Sequence, residues 1–225
     1  MTTAAFQPTR DRVFGSYDYP TNDGRPMGET DWHRIAMVES IETLQAWYEG
    51  QQVYVSGNLL LCYEQGNRRK HVSPDVMVVK GARVGVRLNY LLWEEGLPPN
   101  VVIEITSATT RQEDLTKKFE IYRTEIGVRE YFLFDPLDDY LKPRLQGFRL
   151  IDGEYVPIEL QDRRLPSEEL GLSLEACEYK IRFFDQARGV QLPTFQELWH
   201  AEQLKNQQLQ AEVEALRNKA AEGGR

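Results

Sequence analysis

Apolar residues recur with different periods along this chain, and the changes of period divide it into elements. Residues 1–28 are rich in Pro, Gly, Asp and Thr, show no period, and read as an N-terminal arm. Asp31 is read as the cap of a helix running from Trp32 to about Glu49, because Ile35, Val38, Ile41, Leu44 and Trp47 recur at every third position. Gly50-Gln51-Gln52 ends it. Val53 to Tyr63 and Val72 to Val79 read as neighbouring strands joined by the polar turn Glu64-Gln65-Gly66-Asn67. Residues 81–100 make a long connection, with Tyr90, Leu91, Leu92 and Trp93 inward and Pro98-Pro99 at its end.

The stretch from Val101 to Pro136 organises the rest. Val101-Val102-Ile103-Glu104-Ile105-Thr106 is a β-branched apolar run, read as a buried strand with one acid in it. Thr110 and Glu113 have capping-box spacing and start a helix near Arg111, and Gly127 suits the position just past its end. Tyr131-Phe132-Leu133-Phe134 follows as a second strand, closed by Asp135-Pro136. Strand, helix, strand is a βαβ unit, so the fold class is α/β. At 100° per residue, Leu115, Phe119, Tyr122 and Ile126 share the face expected to pack on the sheet. Lys118 then lies roughly 70° from the middle of that stripe, leaning toward Glu104, with Asp114 one turn earlier, while Lys117 points to solvent. Beyond Pro136, Phe148-Arg149-Leu150 and Tyr155-Val156-Pro157-Ile158 flank Asp152-Gly153 as a hairpin, and Tyr179 to Phe184 is a last strand.

From residue 191 the chain reads as a separate helical tail. Positions 195, 199, 202, 206, 209, 213, 216 and 220 follow a heptad seam of Phe, Trp, Glu, Asn, Leu, Val, Leu and Ala. Glu202 and Asn206 interrupt its first half, so two forms fit: a coiled coil with a second copy, or a single solvated helix. The expected organisation is therefore an arm over 1–28, one domain over 29–190 and a helix over 191–225.

Composition narrows the class of function. A chain of 225 residues that is 41% apolar can bury one good core. Residues 1–14 lack a signal-like apolar stretch, and no run approaches a membrane span, so no membrane partner and a cytoplasmic location are expected. Cys62 and Cys177 form neither a disulfide framework nor a metal-ligand pattern. A net charge of −8 argues against general nucleic-acid binding, yet the charge is unevenly placed. Residues 65–90 carry Arg68, Arg69, Lys70, Lys80, Arg83 and Arg87 around Asp75 alone, a local surface for phosphate.

The chemistry joins Asp75, Glu104 and Lys118. Ser73-Pro74-Asp75 opens an apolar strand, because proline cannot donate to a ladder and suits a strand start. An acid inside the Val101–Thr106 strand needs a cation, a partner or water. A hard divalent ion takes oxygens from one or two carboxylates plus water and phosphate. Two acids and the backbone carbonyl of Ile105 supply that set, with Lys118 beside the attacking water. His33 with its neighbouring acids Glu29 and Glu42 is a further candidate ligand group, whereas His71 reads as a loop residue.

Pro74-Asp75, Glu104-Ile105-Thr106-Ser107, Asp114, Lys118, Tyr122 and Gly127-Val128-Arg129-Glu130-Tyr131-Phe132 through Asp135-Pro136 closely resemble the Uma family of putative restriction endonucleases. That family is placed in the PD-(D/E)XK nuclease superfamily, and the likeness runs from about Gly28 to Phe184. The resemblance implies a restriction-endonuclease-like α/β core, a central mixed sheet flanked by helices, and Mg²⁺- or Mn²⁺-dependent hydrolysis of DNA. It carries Asp75 and Glu104 over as metal ligands, Lys118 as the catalytic lysine, and Asp114 as the residue steering that lysine. The superfamily's lysine two residues after the acid is replaced by Thr106, and the Uma pattern moves it to the following helix. A homodimer through the nuclease-like domain or the C-terminal helix is the expected self-association, and a catalytically silent nucleic-acid-binding or regulatory module is the alternative function.

Overall fold

The structure, a computed structural model, describes residues 13–21, 30–83, 85–107 and 112–222. Most of the arm, Glu29, Thr110 and Arg111 lie outside the described residues. The chain divides into two compact units, Met1–Leu192 and Pro193–Arg225.

The first unit is built on a six-stranded sheet. Its elements in chain order are α1 (Asp31–Trp47), β1 (Val53–Ser56), β2 (Val76–Lys80) and β3 (Val101–Ile105). Then come the crossover helix α2, with wide turns over Glu113–Lys118 and Ile121–Ile126, β4 (Glu130–Phe134), β5 (Leu145–Ile151) and β6 (Glu154–Pro157). The strand order is β6-β5-β4-β3-β2-β1. Only β3 and β4 are parallel, with Glu104 beside Leu133, and the other pairs are antiparallel. All five residues of β3 and all five of β4 are buried, as expected for a parallel pair covered on both faces.

Strand alternation assigns the two faces. Val76, Val78, Val101, Ile103 and Phe132 look toward Ala36, Met37 and Leu44 of α1 and toward a second, four-stranded sheet. That sheet comprises β7 (Leu165–Ser167), β8 (Leu172–Cys177), β9 (Lys180–Asp185) and β10 (Val190–Gln191). Met77, Val79, Val102, Tyr131 and Leu133 look the other way, toward Tyr122 and Ile126 of α2. Glu130, fully buried at the start of β4, ties the two sheets together. It accepts bonds from Arg149 Nε, the Ser167 hydroxyl and the Glu168 amide.

Several expectations are corrected by the packing. The cap of α1 is Thr30, whose hydroxyl accepts from the His33 amide, and Asp31 instead pairs with Arg34. The buried face of α1 follows Ala36, Met37, Ser40, Thr43 and Leu44, a 3.6-residue period, so Val38 is 39% exposed. The run from Val53 to Tyr63 is broken after Ser56. Leu61–Cys62 instead joins His71–Val72 and Tyr90–Leu91 in a small separate sheet. Gly57 stands at the break because a Cβ there would lie 1.8 Å from the Asp75 carbonyl oxygen. The Asp152-Gly153 hairpin forms between β5 and β6, with both turn residues at positive φ. Residues 13–21 are docked rather than loose: Val13–Phe14 lies beside Val86–Arg87, and Asn89 binds the carbonyls of Ser16 and Tyr19.

The second unit consists of α3 (Phe195–Glu222), exposed wherever its side chains are described. Among the described residues no helix is long and apolar enough to cross a membrane.

Candidate active site

The site lies where β3 ends and β2 begins. Register places Val76 beside Ile103, so Asp75 and Glu104, one residue further along each strand, come together on the α2 side of the sheet. Glu104 is fully buried. Its Oε1 accepts from the Tyr122 hydroxyl at 2.6 Å and its Oε2 from Lys118 Nζ at 2.9 Å. Lys118 Nζ also lies 3.0 Å from Asp114 Oδ1, one turn back on α2. Asp75 Oδ2 accepts from the Ile105 amide at 2.8 Å and lies 3.1 Å from His33 Nε2 at the start of α1. Its other oxygen, Oδ1, makes no hydrogen bond among the described residues, and the side chain is 14% exposed, so one carboxylate position faces open space.

The shape of α2 explains why this amine reaches the sheet. Its wide turns bond amides to carbonyls five residues back, as Gly127 N does to Tyr122 O. Thr116 and Thr124 contribute to this locally, since each hydroxyl takes the carbonyl four residues earlier, on Gln112 and Glu120. Mixed wide and ordinary turns hold residues four apart in one line. Asp114, Tyr122 and Ile126 are buried, with Lys118 between them and 18% exposed. Leu115, placed on the packing face by 100° arithmetic, is 39% exposed instead, and Lys117 pairs with Glu113 outside. Thr106 sits at the position where the superfamily lysine was expected. It is buried and its hydroxyl is bonded to that of Tyr140.

Charge at the site is unbalanced. Burial pushes the Glu104 carboxyl up to about 8, and the charges of Asp75 and Asp114 add to this, while Lys118 and the Tyr122 hydroxyl pull it down. Burial works against the Lys118 cation, but Glu104, Asp114 and Asp75 outweigh it and raise its pKa well above the usual lysine range. Burial also works against the Asp75 anion, yet His33, Lys118 and the Ile105 amide outweigh it and hold this carboxyl below the ordinary range. Among the described residues no three His, Cys, Asp or Glu are grouped to hold a metal ion, so the cluster offers two acids and open positions rather than a closed cage.

Other candidates fall away from the cluster. No ion pair or side-chain hydrogen bond connects Glu42 with it among the described residues, and His71 Nδ1 contacts the Arg68 carbonyl. Arg87 is a correction to the proposed phosphate surface. Its side chain is 0% exposed, paired with Glu95 and stacked on Tyr54 at 3.8 Å, so no phosphate can reach it. Arg83 is half exposed, pairs with Glu95 and covers the Phe14 ring. Lys70 pairs with Glu64 and Glu125, whereas Arg68 and Arg69 are exposed and make no ion pair among the described residues. Two site neighbours have roles that spacing alone did not assign. Tyr122 is aligned with Lys118 by the four-residue stripe, and His33 depends on where α1 begins.

A mixed sheet with its acids gathered at one end of the central strands, and a lysine brought in by the crossover helix, defines a restriction-endonuclease-like α/β protein. The fold is shared with a crystal structure described as a putative nuclease belonging to DUF820 from Anabaena variabilis ATCC 29413. The likeness has a TM-score of 0.51 at 17% identity and covers 71% of this chain and 87% of that one. The family described as Uma2, putative restriction endonuclease, matches residues 16–177, well over half the chain, and this protein belongs to that family. No curated protein matches it.

Proposed function

We propose that this chain is a divalent-metal-dependent endonuclease that hydrolyses phosphodiester bonds in DNA. The observation that carries this reading is the convergence of three acids, Asp75, Glu104 and Asp114, on the single amine of Lys118 in a nearly dry place. A cation entering here would displace the proton that burial holds on Glu104 and meet two carboxylates at once. Asp75, Glu104 and the backbone carbonyl of Ile105 would hold Mg²⁺ or Mn²⁺, and the open Asp75 Oδ1 position suits an ion that keeps water and takes substrate phosphate. An ion held by these residues would supply a water of lowered pKa and charge to offset that on the scissile phosphate.

The chain's own groups do the positioning. Lys118 stays protonated at neutral pH, so it donates to the attacking water or to the developing charge and does not act as a base. Asp114 holds the amine from one side and Glu104 from the other. Tyr122 fixes the Glu104 carboxylate, while His33 and the Ile105 amide fix that of Asp75. Arg68 and Arg69, with Lys70 and Arg83 at lower exposure, are the proposed phosphate contacts.

The test is nicking of supercoiled plasmid by purified protein with EDTA, Mg²⁺ or Mn²⁺. Cleavage should require the ion and vanish in Glu104→Ala and in Lys118→Ala, with circular dichroism confirming the fold of each. Cleavage that persists in both variants refutes the assignment. Salt-sensitive DNA binding without ion-dependent cleavage would instead make the protein a silent binding module.

A further inference from the structure

We infer that α3 is one strand of a parallel, in-register, two-stranded coiled coil formed with a second copy of this chain. Every described side chain from Phe195 to Lys219 is exposed. Among them Phe195, Trp199, Leu209, Val213 and Leu216 are 46–59% exposed and fall on one seam. The helix has 28 residues, about 42 Å, and a lone helix in water draws little stability from its own hydrogen bonds. Five large apolar side chains exposed along one seam, three of them consecutive in its second half, make a contact surface.

The residues on the seam select the occupant. Trp199, Asn206 and Val213 take the a positions, and Phe195, Glu202, Leu209 and Leu216 the d positions. A β-branched residue at a with leucine at d favours two parallel strands. A single asparagine at a meets its own counterpart in that arrangement and fixes register at some cost in stability. Charge agrees. In a parallel pair, Glu212 at g faces Arg217 at e of the second copy, twice by symmetry. The other such pairs, Lys205 with Gln210 and Leu198 with Gln203, bring no like charges together. Glu202 is the one residue at odds with the seam. It pairs weakly with Lys205 of its own helix at 4.0 Å.

Sedimentation equilibrium of the full chain should show a dimer, and Leu209→Asp with Leu216→Asp should give a monomer at the same concentrations. Glu202→Leu should tighten the dimer by about tenfold or more, since it fills a d position. Orientation is tested with Glu202→Cys in a Cys177→Ser background, where oxidation should link two chains if the helices are parallel and in register. A monomeric native chain overturns the inference, as does a dimer unchanged by the two aspartates. A dimer that loses its partner with the aspartates but never cross-links at position 202 overturns the parallel register.

Discussion

Glu104→Gln should make the metal-free protein more stable at alkaline pH, although the position is proposed to be essential for cleavage. The carboxyl titrates at 4.5 in an unfolded chain and at about 8 here, because burial and the charges of Asp75 and Asp114 oppose its ionisation. The folded state therefore binds this proton more tightly than the unfolded state does. The sign follows: the contribution of this one group to stability is full below 4.5, falls by about 1.4 kcal/mol per pH unit from there to 8, and is lost above. Glutamine is close in shape to the protonated acid and does not titrate. Its Oε1 still accepts from Lys118, and its Nε2 donates to the Tyr122 hydroxyl as the protonated acid does. From pH 5 to pH 8 the variant should thus gain about 3–4 kcal/mol relative to the native chain. Urea denaturation in EDTA at the two pH values measures the difference directly. In calorimetry, Mn²⁺ binding at pH 7 should release close to one proton from the native protein and none from the variant. A difference that stays constant or shrinks toward pH 8 refutes the reasoning. It would mean that the Lys118 ion pair keeps Glu104 ionised at neutral pH.

Two other substitutions probe the scaffold and the phosphate surface. Gly57→Ala puts a methyl group 1.8 Å from the Asp75 carbonyl oxygen, so thermal unfolding should show a loss of about 1–3 kcal/mol, with cleavage reduced further because Asp75 is displaced. A stable, fully active Gly57→Ala protein would mean that the approach is not needed. Arg68→Ala with Arg69→Ala should lower the salt slope of DNA binding by about 2, roughly one for each lost phosphate contact, without changing stability. Arg87→Met should do the reverse, destabilising by up to about 3–5 kcal/mol because buried Glu95 keeps only its longer contact with Arg83, with the salt slope unchanged.

The central βαβ unit could be read from local pattern because β3 and β4 are short, wholly apolar except for their acids, and bounded by clear stop signals. Of the second sheet only β9 was legible, as the strand read over Tyr179 to Phe184. β8 alternates over Leu172, Leu174 and Ala176 but is only six residues long and follows an acidic stretch, and β7 is three residues including Pro166, so β7 shows no period and β8 only a short one. What makes them strands is hairpin pairing of β7 with β8 and of β8 with β9, together with packing against α1, and that packing is long-range information. Arg87 failed for a related reason. Its charge is visible in sequence, but its burial under Tyr54 and against Glu95 depends on residues 33 and 8 positions away. Counting charges along a chain cannot separate a cation that meets solvent from one locked inside.

Helical arithmetic at the site was right about Lys118 and wrong about Leu115, and one cause accounts for both. Regular α-helical geometry turns residues four apart by about 40° relative to each other, which spreads the buried face toward Leu115. The Thr116 and Thr124 hydroxyls take carbonyls that regular α-helical amides would occupy, and the wider turns remove that drift. The face then runs straight through Asp114, Lys118, Tyr122 and Ile126. The wide turns let one helix bring Asp114, the Lys118 amine and the Tyr122 hydroxyl to Glu104 in a single row. Position 106, one residue past β3, falls by alternation on the same face as Glu104, but the buried Thr106–Tyr140 contact occupies it. With position 106 filled by threonine, the amine beside Glu104 comes from α2 instead, through a helix that is not regular.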